Sequence, residues 1–258
     1  MGEIIKSKWI THDVQNKNAE INFICFPYAG GSPSLFAPWK SEIPETINFF
    51  PILYPQRELR KNDPMPENVD ILVSNFVEEN IELFSKDFIL FGHCTGTLIA
   101  YKVLLEVRTR LGKEPIAFIA SGSESPRYVM TREREMGKEA LEDKMLIKRM
   151  VEYELVDEKT AMGPIFSKYY LPIYRADLSM LSTYEYEAEE VLKCPIYVLW
   201  GNTDLTLRDS ALKDWKQFSN EQVTFKQFTG KHFYFAQDKK PLLDYLNNIL
   251  GSMQVVAV

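Results

Sequence analysis

Short runs of apolar residues alternate along this chain with longer stretches of helical periodicity. Ile21-Asn22-Phe23-Ile24-Cys25-Phe26 predicts a buried strand, closed by Pro27 and the Gly30-Gly31 pair. Residues 48–54 predict a second strand, and Pro51, which has no N–H to donate, assigns it to an edge or a bulge. Further strands are expected at 88–91, 116–120, 196–200 and 223–228. Runs that are apolar on both faces, separated by helix-length segments, require a mostly parallel sheet covered by helices on both faces. The fold class is therefore α/β, in three layers.

One stretch breaks the alternation. From about 125 to about 191 only helical patterning is found, with Arg132, Arg134, Lys138, Lys144, Lys148 and Arg149 set among acidic residues. Met145, Ile147, Met150 and Val151 supply an apolar stripe. A helical insertion between two strands of such a sheet is expected to form a lid over the C-terminal strand ends, where α/β folds bind ligands. Ordinary crossover helices are the alternative. The expectation is one domain, 1–258, with this lid inserted.

Composition narrows the function. The 258 residues carry 30 Lys and Arg against 36 Asp and Glu, a net charge of −6. That balance argues against a nucleic-acid binder, which needs a basic face for phosphates. No run reaches the roughly 18 apolar residues of a membrane span, and the first residues contain no signal-peptide core. The 3 cysteines, Cys25, Cys94 and Cys194, share no metal-ligand spacing and point to a reducing compartment, so a cytoplasmic location is expected.

The chemistry is concentrated in Gly92-His93-Cys94-Thr95-Gly96, between the third predicted strand and the helical run that follows it. This is the G-x-S-x-G nucleophile elbow with cysteine in the serine position. A sharp strand-to-helix turn holds the nucleophile in a strained conformation and brings backbones together, so flanking side chains must be absent. It also aims the first N–H groups of the helix at a thiolate or a developing oxyanion. A buried cysteine in a glycine turn is the plainer alternative. Of the three histidines, His12 lies in a polar N-terminal stretch, and His93, inside the elbow, is expected to point away from the nucleophile. His232 follows the last strand across Gly230, which is where the α/β-hydrolase chain order of nucleophile, acid, histidine puts the base. Asp204, just beyond the 196–200 strand, is the first candidate for the acid, ahead of Asp209 and Asp177. A plain turn residue is the alternative for Asp204. The oxyanion hole is expected to take one N–H from Thr95 and a second from the glycine-rich loop of residues 26–32, which leads towards a helix near Ser34.

Several of these blocks together resemble the type II thioesterases of nonribosomal peptide and polyketide assembly lines, over nearly the whole chain. Phe26-Pro27-Tyr28-Ala29-Gly30-Gly31 is similar to that family's first-strand loop, which implies that the Ala29 amide pairs with that of Thr95 in the oxyanion hole. Tyr54-Pro55-Gln56-Arg57-Glu58 resembles its Arg-Glu block, and Leu171-Pro172-Ile173-Tyr174-Arg175-Ala176-Asp177 its lid segment. Cys194-Pro195-Ile196, Gly201-Asn202-Thr203-Asp204 and Gly230-Lys231-His232-Phe233 are similar to its strand-entry, acid and histidine blocks. The resemblance implies an α/β-hydrolase fold and a stand-alone enzyme without cofactor or metal. It also implies a monomer, while charge and hydropathy leave neither nucleic acid nor membrane expected as a partner. Its substrates would be acyl groups held as thioesters on the phosphopantetheine arm of an acyl or peptidyl carrier protein.

Three positions depart from the family pattern: Cys94 stands where most members have serine, Gln56 replaces a glycine and Lys231 replaces a small residue. A Cys94 acyl-enzyme is itself a thioester, nearly isoenergetic with the substrate. It can be hydrolysed, or it can hand its acyl group to a second carrier thiol. Hydrolysis through a Cys94–His232–Asp204 triad is the leading expectation and carrier-to-carrier transfer the alternative. A non-catalytic carrier-binding protein would have an inert Cys94. Arg127, Arg132 and Arg134 are candidate contacts for an acidic carrier, or else simply a solvated helix face.

Overall fold

The computed structural model describes residues 3–4, 7–11, 14–129, 131–188 and 191–256. Two short antiparallel strands, β1 (Glu3–Ile4) and β2 (Val14–Gln15), precede the main sheet. The main sheet consists of β3 (Ile21–Phe26), β4 (Ile47–Pro51), β5 (Asp87–His93), β6 (Ala117–Ser121), β7 (Ile196–Gly201) and β8 (Val223–Phe228). Their order is β4-β3-β5-β6-β7-β8, and every neighbouring pair is parallel. Each predicted apolar run becomes one of these six strands. Pro51 closes β4, which is indeed an edge strand, and Ile52 turns away to bridge Ile10.

Alternate residues of each strand feed two apolar layers. Ile24, Phe26, Leu90, Phe118 and Val198 face α1 (Val69–Glu79) and α2 (Thr95–Leu111). Phe23, Cys25, Phe91 and Ile119 face the other way, onto Phe36 and Trp39 and the C-terminal helix that begins at Lys240. Asn68 caps α1 by accepting the Ile71 N–H at 2.9 Å, and Gly112 ends α2 in the left-handed conformation. No α-helix forms near Ser34: residues 33–35 and 37–39 make two 3₁₀ turns instead. Pro38 would lack the N–H that an α-helix needs there and would clash with the carbonyl four residues earlier.

Between β6 and β7 the chain carries α3 (Thr131–Met136), α4 (Asp143–Glu152), α5 (Glu158–Ala161), α6 (Pro164–Tyr169) and α7 (Leu171–Leu181). No strand occurs there among the described residues, only an isolated bridge from Leu192 to Ser219. After β7 come α8 (Asp209–Lys213) and, beyond β8, α9 (Lys240–Val256). Among the described residues no helix is long and apolar enough to cross a membrane.

Candidate active site

Cys94 sits between the end of β5 and the start of α2 with φ 55° and ψ −126°, a conformation that a residue with a Cβ adopts only at a cost. Its surroundings hold it there: the Cys94 N–H donates to the Ser121 carbonyl at 2.8 Å. The two flanking glycines are required by space. A Cβ on Gly92 would lie 2.3 Å from the Thr97 Cα, and one on Gly96 would lie 2.3 Å from the Phe26 carbonyl oxygen. The strained turn lifts the thiol out of the sheet and leaves it partly exposed, whereas Cys25 and Cys194 are buried.

His232 and Asp204 reach the thiol from the loops after β8 and β7. The two loops are tied together: the Thr203 N–H donates to the Gly230 carbonyl at 2.9 Å, and the Gly230 N–H to Asn202 Oδ1 at 3.0 Å. His232 Nδ1 donates to Asp204 Oδ2 at 2.7 Å, and the Asp204 side chain is fully buried. The carboxylate's other oxygen accepts the N–H and hydroxyl of Thr206 at 2.9 and 2.6 Å. Burial opposes ionisation of Asp204, but the bonds from His232 and Thr206 hold its pKa below the usual range. With Nδ1 committed to Asp204, the Nε2 lone pair is left for a proton from the thiol. Nε2 is buried and makes no hydrogen bond of full geometry among the described residues, so Cys94 acts on the ring chiefly through charge. Burial opposes the charged ring, yet the Cys94 charge and the Asp204 carboxylate outweigh it and raise the His232 pKa to about 9.

The loop after β3 closes the site from the other side. The Ala29 N–H donates to Thr95 Oγ1 at 2.7 Å, so the Ala29 amide is occupied by the hydroxyl next to the nucleophile. The Gly30 N–H donates to Asp177 Oδ2 at 2.6 Å. Asp177 belongs to α7 and is paired with Arg57, whose NH1 and NH2 groups donate to its two carboxylate oxygens at 2.9 and 2.5 Å. NH1 also donates to the Gly31 carbonyl at 2.7 Å. The pair is almost wholly buried, with side-chain exposures of 4% and 3%.

Cys94, His232 and Asp204 thus come together, and Ala29 and Thr95 adjoin them. Asp209 is exposed at the start of α8, and Asp177 is committed to Arg57, so neither reaches the imidazole as its acid. His93 is fully buried, with Nδ1 3.0 Å from Ser121 Oγ and its ring packed against Phe233 and Phe235. Burial, followed by the charge of His232, pushes its pKa well down, so it stays neutral. His12 lies outside the described residues. Arg127 is paired with Asp214 at 2.7 Å but stays exposed, and Arg134 donates to the Tyr184 carbonyl; the Arg132 side chain lies outside the described residues. Neither Thr206 nor Tyr153, whose ring packs at 4.6 Å against His232, was singled out from the sequence, and Tyr153 carried no signal there. Thr206 was findable two residues after the acid, where hydroxyl side chains often bond back to a turn carboxylate.

Cys94, Thr95 and His232 open into a cleft of about 370 Å³, also lined by Tyr128, Tyr153 and Leu207. A second, smaller hollow reaches the same three residues from beneath α4 and α7. Among the described residues no group of three His, Cys, Asp or Glu side chains is arranged to hold a metal. The exposure pattern makes a direct prediction. Iodoacetamide at neutral pH should alkylate Cys94 and spare the other two thiols, because burial pushes Cys25 far up and Cys194 to about 12. Peptide mass mapping reads the result, and comparable labelling of Cys25 or Cys194 in the native protein would refute it.

A six-stranded parallel sheet with an elbow after its third strand in chain order, and with acid and histidine on the loops after the last two, defines an α/β-hydrolase. A thioesterase-domain family model matches residues 22–250, and the chain belongs to that family of hydrolases acting on thioesters. It is 25% identical over 240 residues to the gramicidin S biosynthesis protein GrsT of Aneurinibacillus migulanus, covering 93% of each chain. It is 27% identical to the probable anguibactin biosynthesis thioesterase AngT of Vibrio anguillarum, covering 86% of this chain and 89% of that one. Among solved structures it resembles RedJ, a thioesterase of the prodiginine biosynthetic pathway in Streptomyces coelicolor. The TM-score is 0.80 at 25% identity, over 94% of this chain and 93% of RedJ.

Proposed function

We propose that this thioesterase hydrolyses acyl or aminoacyl thioesters on the phosphopantetheine arm of an acyl or peptidyl carrier protein. In this reading it is a separate, monomeric protein serving a nonribosomal peptide or polyketide assembly line in the cytoplasm, and Cys94, His232 and Asp204 are its triad. The convergence of Cys94 with the buried His232–Asp204 pair at the mouth of the cleft carries the reading. The biosynthetic roles named for GrsT, AngT and RedJ support a place among enzymes whose intermediates travel as thioesters. The helices α3–α7 act as the lid, with Tyr153, Tyr174 and Leu178 lining the space near Cys94.

The Cys94 thiolate attacks the thioester carbonyl, and the carbonyl π electrons move onto oxygen. Collapse of the tetrahedral adduct breaks the bond to the pantetheine sulfur, which leaves with the proton held on His232 Nε2. Acylation removes the charge of Cys94, and with it the largest influence raising the His232 pKa. Burial then draws that pKa down, so the neutral ring can take a proton from water, which attacks the acyl-Cys94 carbonyl. The second collapse releases the free acid and returns the thiolate and imidazolium. No cofactor or metal is needed.

Two carrier proteins test this, one loaded with an isotopically labelled acyl group and the other bearing a free arm, both followed by intact-protein mass spectrometry. The expected result is free acid released faster than label reaches the second carrier, with a transient acyl adduct on Cys94. Label moving to the second carrier while free acid stays at background would overturn hydrolysis in favour of transfer.

A further inference from the structure

The Thr95 side chain lies where the second oxyanion donor was expected to be free. Its Oγ1 accepts the Ala29 N–H at 2.7 Å and makes no hydrogen bond as a donor among the described residues. Thr95 is the first residue of α2, so its own N–H has no partner within the helix. It lines both spaces that meet at Cys94. The Ala29 loop cannot readily swing aside, because the next two residues are pinned: Gly30 N–H by Asp177, and the Gly31 carbonyl by Arg57.

We propose that the Thr95 hydroxyl is itself a catalytic donor to the oxyanion, working beside the Thr95 N–H, while the Ala29 N–H polarises it from behind. This deepens the thioesterase reading and rests on it. An N–H and an O–H from one residue at a helix start can converge on a single anion, where the helix dipole also favours negative charge. A hydroxyl that accepts a bond from an amide is a stronger donor through its own proton, since linked hydrogen bonds polarise one another. During attack by Cys94 the carbonyl oxygen gains charge within reach of both Thr95 donors. The alternative role for the same hydroxyl is a plug that blocks the Ala29 amide and must be displaced, and the two roles predict opposite signs.

Thr95→Val keeps the branched shape and removes the proton; Thr95→Ser keeps the proton. Three readouts separate the possibilities: turnover of a small acyl thioester, affinity for a trifluoromethyl ketone, and the alkylation rate of Cys94 by iodoacetamide. The ketone adds to the thiolate and forms an oxyanion without any leaving group, so its binding, read by fluorine NMR, reports the hole independently of turnover. Alkylation needs the thiolate but forms no oxyanion, so it reports an intact nucleophile and fold. Thr95→Val is expected to lower kcat and ketone affinity by roughly 10²-fold, the usual cost of one oxyanion donor. Alkylation should be unchanged, and Thr95→Ser should recover most of the loss. Equal or faster turnover with equal or tighter ketone binding in Thr95→Val would overturn the proposal. Loss of alkylation in the same variant would also overturn it, by assigning the hydroxyl to support of the nucleophile. A wild-type protein that binds the ketone but releases no acid would sink the hydrolase reading instead, while the effect of Thr95→Val on ketone binding would still decide this one.

Discussion

Replacing Cys94 with alanine is expected to abolish the acyl-enzyme and to lower turnover of an acylated carrier by roughly 10⁴–10⁶-fold, the range seen when a nucleophile is removed from a coupled triad. His232→Ala should fall in the same range, because without the imidazole neither the departing thiol nor the attacking water has a proton partner. Single-turnover kinetics with intact-mass detection measures both, and either variant within tenfold of wild type would show that the chemistry runs elsewhere. Cys94→Ser adds a sign test. Interaction with Cys94 and with the Asp204 carboxylate outweighs burial and raises the His232 pKa to about 9, so the ring loses its proton only as the pH climbs past that value. A neutral serine removes the first of these influences. The His232 titration, followed by proton NMR, should therefore move to lower pH in Cys94→Ser, and an unmoved titration would contradict the coupling.

Arg57→Met is expected to be the most damaging change outside the proposed triad. The guanidinium lies 4% exposed against the Asp177 carboxylate, and its remaining donors satisfy the Pro55 and Gly31 carbonyls. Its removal leaves a buried carboxylate with the Gly30 N–H as its remaining bond from this network. Breaking such a pair from one side costs about 3–5 kcal/mol. Urea denaturation should register that loss, and adding Asp177→Asn should return part of it, since the amide oxygen can still accept from Gly30 while the stranded charge disappears. A single variant within about 0.5 kcal/mol of wild type, the level of an ordinary surface change, would refute the account.

The strands were legible because those buried on both faces are written as nearly continuous apolar runs; the edge strand β8, with Lys226 and Gln227 exposed, is the least continuous of the six. The elbow was legible because close backbone approach demands both glycines, Gly92 against Thr97 within the turn and Gly96 against Phe26 at the end of β3, and leaves the pattern G-x-C-x-G in one short block. His232 and Asp204 followed from chain order once the elbow was located. What the sequence did not disclose depends on distant segments meeting. Arg57 was visible only as part of a block and Asp177 only as a third-choice acid; nothing local says that they neutralise each other. The loop of residues 26–32 does meet the elbow, but the hydroxyl seated on the Ala29 N–H comes from Thr95, and its position depends on a rotamer that the sequence does not disclose. The helix expected near Ser34 does not form, because Pro38 stops the turn there from lengthening.

The strand order also governs how the protein is born. β4 pairs with β3, β5 with the other side of β3, and β6, β7 and β8 are then each added to the edge left by the strand before. A chain emerging from the ribosome can therefore build the sheet outwards as it is synthesised, with no finished pair having to reopen. The thiol of Cys94 is laid down with β5, but Asp204 follows β7 and His232 follows β8. Until the last strand docks, the nascent thiol has no base beside it. Under the proposed triad, the site is complete only once β8, the last of the six strands in the chain, has docked.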